Sequence, residues 1–269
     1  MRFMILLKTT RALDSAAGNE DRARRAACER YEAELSQAGI LLTSESLYPS
    51  DHGMTMSHRA GSLTIVDGPF RDLQHILAGF WLIQVKSKEE AVEWAKRFPL
   101  SNEQTQIELS PLTELSDFPE LFEQTGGQEL APHCPTPDSA HAAAPEPVAP
   151  AANRDKSLRY LMMFKADAKS ELGLPPDVKT FTEMGKLMGD MAAAGVGFSG
   201  DGLRPSRHHV RIALRNGQRS VTDGPFAETK ELIAGYLLVQ VASREEALSW
   251  ASRGALINGD CESEIRQVR

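Results

Sequence analysis

The sequence predicts an α+β protein made of two ferredoxin-like βαββαβ units, each with an extra hairpin, packed sheet to sheet inside one chain. Three observations carry this: the chain repeats itself at a fixed offset, each repeat runs through strand-like and helix-like patterns in the same order, and a proline- and alanine-rich stretch separates the repeats. Asp67-Gly68-Pro69-Phe70 recurs as Asp223-Gly224-Pro225-Phe226, and the same offset carries Ala38-Gly39 onto Ala194-Gly195, His52 onto His208 and Trp94-Ala95 onto Trp250-Ala251. From residue 38 to 112 the register needs no gap and holds about 27 identities in 75 positions, which marks a duplication. Arg2 to Lys8 matches Arg159 to Lys165 with one extra residue of offset, so the first connection or helix differs in length by one.

Each element follows from local pattern. Phe3 to Leu7 and Leu158 to Phe164 are short apolar runs suited to buried strands. A first helix is expected from Glu20 to Gln37, with Asn19 as cap and Gly39 as stop, and in copy two from Pro176 to Ala194, stopped by Gly195. Strands follow around Ile40 to Tyr48 and Val196 to Arg204. The next segment is a hairpin: His209 to Arg215 alternates, turns at Asn216-Gly217 and returns through Ser220 to Thr222, and copy one turns at Ala60-Gly61. Past the Asp-Gly-Pro-Phe loop, Ala78 to Lys86 and Ala234 to Ala242 are apolar strands. Ser87-Lys88-Glu89-Glu90 and Ser243-Arg244-Glu245-Glu246 are capping boxes opening the second helix of each copy. Ile107 to Leu112 and Glu264 to Val268 close the units as strands. Helices cover one face of such a sheet, so the other face needs a partner, and the other copy is the natural one.

The expected boundaries are 1–112 for copy one, 113–156 for a connection and 157–269 for copy two. The connection begins with a short helix from about Phe118 to Gln124, closed by Gly126-Gly127. The Pro/Ala-rich run that follows cannot bury enough apolar surface to offset its ordering entropy. As a coil it reaches ~30 Å, which permits many docking orientations of the copies.

The chain has 269 residues, 25% of them charged, and a formal net charge of −7. This acidity offers no global attraction to nucleic acid or anionic membrane. No apolar run approaches the ~20 residues of a membrane-spanning helix, and the first residues are too soon charged for a secretory signal, so the expectation is a soluble cytoplasmic protein. Cys28, Cys134 and Cys261 are odd in number and widely spaced, with neither a C-x-x-C pair nor zinc-ligand spacing, and no metal or cofactor is expected. P-loop, G-x-G-x-x-G, G-x-S-x-G and H-E-x-x-H patterns are all lacking.

Val221-Thr222-Asp223-Gly224-Pro225-Phe226-Ala227-Glu228-Thr229-Lys230-Glu231, followed by Ala234-Gly235-Tyr236, closely resembles the YCII-related, or DGPF, domain family. So do the Glu-Glu-Ala-x-x-Trp-Ala helix and the closing Glu264 to Val268, and the resemblance covers both copies. It implies a dimeric α/β barrel, built here internally as a pseudo-dimer capable of further association, with a small-molecule cleft near the DGPF loops. Family members include a dehydrochlorinase of chlorinated hydroquinones and proteins linked with extracytoplasmic-function sigma factors. In other branches a His/Asp pair with its histidine on the first helix has been suggested as the active site, and neither first helix here contains a histidine.

Asp67 and Asp223 precede Gly-Pro, where the carboxylate can build an Asx turn or serve as a general base. His52 and His208 are the histidines duplicated at equivalent places, suited to proton transfer or to a structural role at a strand end. Asp223, His208, Asp67 and His52 are therefore the candidate catalytic residues. Lys8 and Lys165 end the first strands, where they can meet an anion or simply solvent. With Glu228 and Phe226 they are the candidate ligand-binding residues. Copy two retains Glu228-Thr229-Lys230-Glu231 where copy one has Asp72-Leu73-Gln74-His75, which favours the cleft lined by copy two's loop. Two readings stand: cofactor-independent acid/base chemistry of lyase or oxygenase type on a small molecule, or a non-catalytic ligand-sensing or regulatory module working with a sigma factor.

Overall fold

The computed structural model describes residues 1–14, 19–70, 73–100, 102–114, 117, 158–228 and 231–269. The expected helix at 118–124, Cys134 and nearly all of the connection lie outside the described residues.

Copy one runs β1 (Arg2–Thr10), α1 (Arg11–Asp14), α2 (Asn19–Gln37), β2 (Leu41–Ser46), β3 (Met54–Arg59), β4 (Ser62–Asp67), β5 (His75–Gln84), α3 (Lys88–Arg97) and β6 (Thr105–Pro111). Copy two repeats the order as β7 (Leu158–Lys165), α4 (Ala168–Leu172), α5 (Val178–Ala193), β8 (Gly197–Gly202), β9 (Val210–Arg215), β10 (Gln218–Asp223), β11 (Ile233–Val241), α6 (Arg244–Asn258) and β12 (Cys261–Gln267). The short helices α1 and α4 are additions to the sequence-based expectation. Helix α5 begins two residues later than expected because the Asp177 carboxylate, not the chain at Pro176, caps it by accepting the Thr180 amide at 2.8 Å. Gly39 and Gly195, at φ 70° and 72°, end α2 and α5 as expected. Ser87 and Ser243 cap α3 and α6, accepting the amides of Glu90 and Glu246. The returning carboxylates land one residue early, on the amides of Lys86 and Ala242.

The strands form two six-stranded sheets, β10-β9-β6-β1-β5-β2 and β4-β3-β12-β7-β11-β8. Each sheet therefore holds four strands of one copy and the hairpin of the other. Strand β9 pairs with β6 through Glu108↔Arg211 and Ile107↔Ile212, and β3 pairs with β12 through Glu264↔Thr55 and Ile265↔Met54. The alternation in the sequence locates the hairpins without naming the sheet that receives them, because a period of two specifies faces, not partners.

Along β1 the side chains alternate between two buried faces. Phe3, Ile5 and Leu7 point to an outer core with Tyr31, Leu35, Ala91 and Ala95 of the helices, where Tyr31 meets Trp81 and Phe98 edge to face. Met4 and Leu6 point into a core between the sheets, against Phe80, Leu161, Met163 and Tyr236. Burial on both faces explains why β1 and β7 read as unbroken apolar runs. Bridges Leu47↔Val268 and Leu112↔Leu203 join the sheets at equivalent corners. The result is a dimeric α/β barrel arrangement completed within one chain, with helices outside and an apolar interior.

Candidate functional site

The inner face of β1 changes from apolar to charged at Lys8, two residues after Leu6 of the interior core. Lys8 Nζ lies 2.8 Å from Glu108 Oε2, and both side chains are almost wholly buried. From the exchanged hairpin, Arg211 Nε donates to the same carboxylate at 2.8 Å and His209 Nδ1 lies 3.2 Å from its other oxygen. His209 Nε2 faces the Arg204 carbonyl at 2.7 Å and so carries a hydrogen. Burial alone would raise the Glu108 carboxyl, but Lys8, His209 and Arg211 outweigh it and hold the group well below the usual carboxylate range. Arg211 Nη1 continues to Glu228 at 2.6 Å while its guanidinium lies 3.8 Å from the Phe226 ring centroid. Glu231 closes the cluster. Its carbonyl lies 3.4 Å from Lys8 Nζ, its carboxylate accepts the Gln74 amide at 2.8 Å, and His75 Nδ1 stands 3.3 Å away.

Three of the four expected ligand-binding residues, Lys8, Glu228 and Phe226, thus meet at one end of the barrel, under copy two's DGPF loop. Lys165 occupies the equivalent place at the other end. There it pairs with buried Glu264 at 2.8 Å, while Arg266 contacts the same carboxylate at 3.1 Å, donates to the Tyr48 carbonyl at 2.7 Å and faces Asp14 at 3.5 Å. The two ends differ by a paired exchange. At the first end a histidine from the hairpin, His209, fills the space beside Ser110. At the second, the equivalents are Gly53 and Arg266, and a Cβ on Gly53 would come within 2.7 Å of Arg266 Cδ. Thr55 stands where the first end has Arg211. Each buried glutamate therefore has cations from two strands: at the first end Arg211 ties the exchanged hairpin to its host sheet, whereas at the second Lys165 and Arg266 both belong to the host sheet and Arg266 reaches Tyr48 and Asp14 of the other copy.

Arg211 Nη2, Gln106 Nε2 and Thr10 Oγ1 are buried and lack a hydrogen-bond partner. Gln106 pairs directly with Lys8 across β1 and β6, and Thr10 follows Lys8 by two residues on the same face. Among the described residues Glu231 Oε2 at this end also lacks a hydrogen-bond partner, and so do Arg266 Nε and Ser50 Oγ at the second end. At the second end Gln106 is replaced by Glu262, which pairs with Arg59 on the surface.

The DGPF loops have a visible structural task. A Cβ on Gly68 would lie 1.7 Å from the Ser50 carbonyl, and one on Gly224 1.9 Å from that of Ser206, so only glycine lets the loop rest on the 3-10 turns at Ser50–His52 and Ser206–His208. The Gly68 and Gly224 amides donate to the carbonyls of Gly53 and His209, and both Gly-Pro peptides are cis. Among the described residues, the Asp67 and Asp223 carboxylates face outward to cations, not back to amides as an Asx turn requires. Asp67 pairs with Arg244, and Asp223 with Lys88 at 3.5 Å, each cation being the first residue of a helix from the other copy. His208 is half-buried. Desolvation first, then Arg207, Arg204, Lys88 and His209, pull its pKa down, so Lys88 acts on both Asp223 and His208. His52 is exposed, 3.8 Å from Asp51 and 5.2 Å from the Tyr48 ring.

A separate, small crevice of about 20 Å³ lies between α2 and the first sheet, lined by Arg24, Arg25, Cys28, Ser46, Trp81 and Arg269. Burial pushes the Cys28 thiol up to about 11, which leaves it protonated and weakly nucleophilic at neutral pH. Among the described residues no group of three His, Cys, Asp or Glu side chains is placed to hold a metal ion, and no helix is long and apolar enough to cross a membrane.

Sequence reasoning missed Arg211, Glu108, His209, Gln106 and Thr10. A signal for one of them was present: Glu108 and Glu264 are a carboxylate duplicated at the same place in the closing strands, each followed by an aliphatic residue, and a carboxylate buried in a strand persists only if it is paired.

The fold and the paired networks define a pseudo-dimeric barrel protein whose two halves complete each other. Its sequence matches the YCII-related domain model twice, over residues 1–116 and 152–269, and the chain belongs to that family. It is 35% identical over 77 residues to the uncharacterized protein R00369 of Rhizobium meliloti (strain 1021), covering 28% of this chain and 62% of that protein's length. Among solved structures it is similar to a mutant chlorite dismutase from Candidatus Nitrospira defluvii, at 7% identity and a TM-score of 0.38 over 100% of this chain and 90% of that one, a likeness that says nothing of activity.

Proposed function

We propose that the protein binds a small carboxylate-bearing molecule at the Lys8 end of the barrel. The observation that carries this is that Arg211 Nη2 and Gln106 Nε2, on the strands that flank Lys8 and Glu108, are buried and lack an acceptor, with Thr10 Oγ1 two residues beyond Lys8. A buried donor without an acceptor costs about 1–3 kcal/mol, so donors left unsatisfied at this end favour an acceptor-bearing ligand. Phe226, stacked on Arg211, offers an apolar wall beside the donors. The second end carries Thr55 and Glu262 at the positions of Arg211 and Gln106 and so offers fewer donors there, although Arg266 Nε is also unpartnered. The test is a thermal-shift panel of small carboxylates and matched neutral amides against the wild type and Gln106→Leu. A carboxylate is expected to raise the wild-type midpoint and to lose that effect in Gln106→Leu. Equal responses of the two proteins, or no response to any carboxylate at ~10 mM, would sink the reading.

Lys88, between Asp223 and His208, favours a second reading in which these two residues transfer a proton on a bound small molecule without a cofactor, with Asp67 and His52 as the weaker pair. A lowered pKa leaves His208 neutral and able to accept a proton at pH 7. Chloride release from a chlorinated hydroquinone would be expected in the wild type and lost in Asp223→Ala/His208→Ala. Undiminished release in the double variant would refute it.

A further inference from the structure

We propose that a second copy of this chain pairs with the free edge of β4, extending the second sheet across a two-fold axis. Strand β4 lies at the outer edge of its sheet, bonded to β3 alone, and every one of its residues is exposed. Three of them are apolar: Leu63 at 39%, Ile65 at 41% and Val66 at 56% exposure. Such an edge invites another strand unless charge or a bulge blunts it.

The equivalent edge, β10, is blunted. It carries Gln218 and Arg219 where β4 has Ser62 and Leu63, and Arg219 folds back to donate to the Phe98 carbonyl at 2.9 Å. Strand β4 thus presents Leu63 and Ile65 on one face where β10 presents Arg219 and the exposed Val221.

The register of β4 is self-complementary. Ala60 and Gly61, at φ 49° and 79°, make a two-residue turn, so Arg59 and Ser62 form the first hydrogen-bonded pair of the hairpin. Alternation then turns the backbone groups of Leu63, Ile65 and Asp67 toward the free edge. An antiparallel copy related by a two-fold axis through Thr64 sets Leu63 opposite Ile65 of the second molecule, and Ile65 opposite Leu63. Both are pairs whose free backbone groups meet, giving about four hydrogen bonds along with apolar contact on one face. The same register brings Asp67 of each molecule opposite Gly61 at the turn of the other, so no like charges face each other along the edge. It also continues an interface already in use, since β3 and β4 are themselves the segment that crosses between copies of the duplicated unit.

The experiment is sedimentation equilibrium of the full chain from about 1 to 100 µM, run for the wild type, Ile65→Lys and Val221→Lys. The wild type and Val221→Lys are expected to approach twice the chain mass as concentration rises, while Ile65→Lys stays at the monomer mass. Amide exchange provides an independent readout: the outward amides of Leu63 and Ile65 should slow with concentration in the wild type, whether or not Ile65→Lys folds. A wild type that stays monomeric at the highest concentration, a dimer that survives Ile65→Lys with its fold intact, or concentration-independent exchange at Leu63 and Ile65 would overturn the proposal.

Discussion

Replacing Glu108 by glutamine should destabilise the protein strongly at neutral pH, and the deficit should shrink in acid. Glutamine keeps the shape of the side chain and removes its charge, leaving Lys8 and Arg211, both 2.8 Å from the same oxygen, without their shared counter-charge in a buried place. Breaking a buried ion pair by removing one partner typically costs about 3–5 kcal/mol, a large part of the roughly 5–15 kcal/mol that holds a domain folded. The folded-state pKa of Glu108 lies well below its ordinary value of 4.5, so the unfolded chain takes up the proton first as pH falls. The stabilisation from this carboxylate is therefore complete above about pH 4.5 and is lost as pH drops toward the folded-state pKa, at up to about 1.4 kcal/mol per pH unit. Glutamine has no proton to take up, so the variant lacks that slope. Urea unfolding followed by circular dichroism at pH 7 and at steps below pH 4.5 measures both effects. A deficit under about 1 kcal/mol at pH 7, or one that stays constant with pH, would refute the reasoning.

Gly224→Ala places a Cβ 1.9 Å from the Ser206 carbonyl, so the loop must leave its turn; a loss of about 1–3 kcal/mol or more is expected in the same unfolding assay, and a neutral result would contradict the close approach. Cys28, with its thiol pushed up to about 11, should react with iodoacetamide far more slowly at pH 7 than a free cysteine thiol and accelerate only in strong base. Rapid labelling at pH 7 would show that α2 does not bury it. Residues 1–112 and 157–269, expressed as separate chains, should associate one to one, because each sheet borrows a hairpin from the other half; two halves that fold independently and stay apart on size exclusion would argue against the exchange.

Much of this was readable in advance. The repeat, the helix stops at Gly39 and Gly195 and the serine caps at Ser87 and Ser243 were legible because each is written within a few neighbouring residues. The candidate site was legible in part. Lys8, Glu228 and Phe226 were singled out from strand ends and loop composition, and they do converge, but the residue that joins them, Arg211, sits on a strand contributed by the other copy. Glu108 and His209 escaped for the same reason: 101 positions separate them, and no local pattern links residues that meet only across an exchanged strand.

By itself, the sequence determined that this protein is one unit written twice, with the order of its strands and helices and the positions of its turns, since periodicity, capping and turn chemistry are local. Only the tertiary structure decided which sheet each hairpin joins, which cation faces each buried glutamate, and that β4 lies at a sheet edge with its residues exposed. Strand pairing and charge compensation depend on partners far away in the chain. The partner residues are matched only in space, as where His209 meets Ser110 at one end and Gly53 makes room for Arg266 at the other.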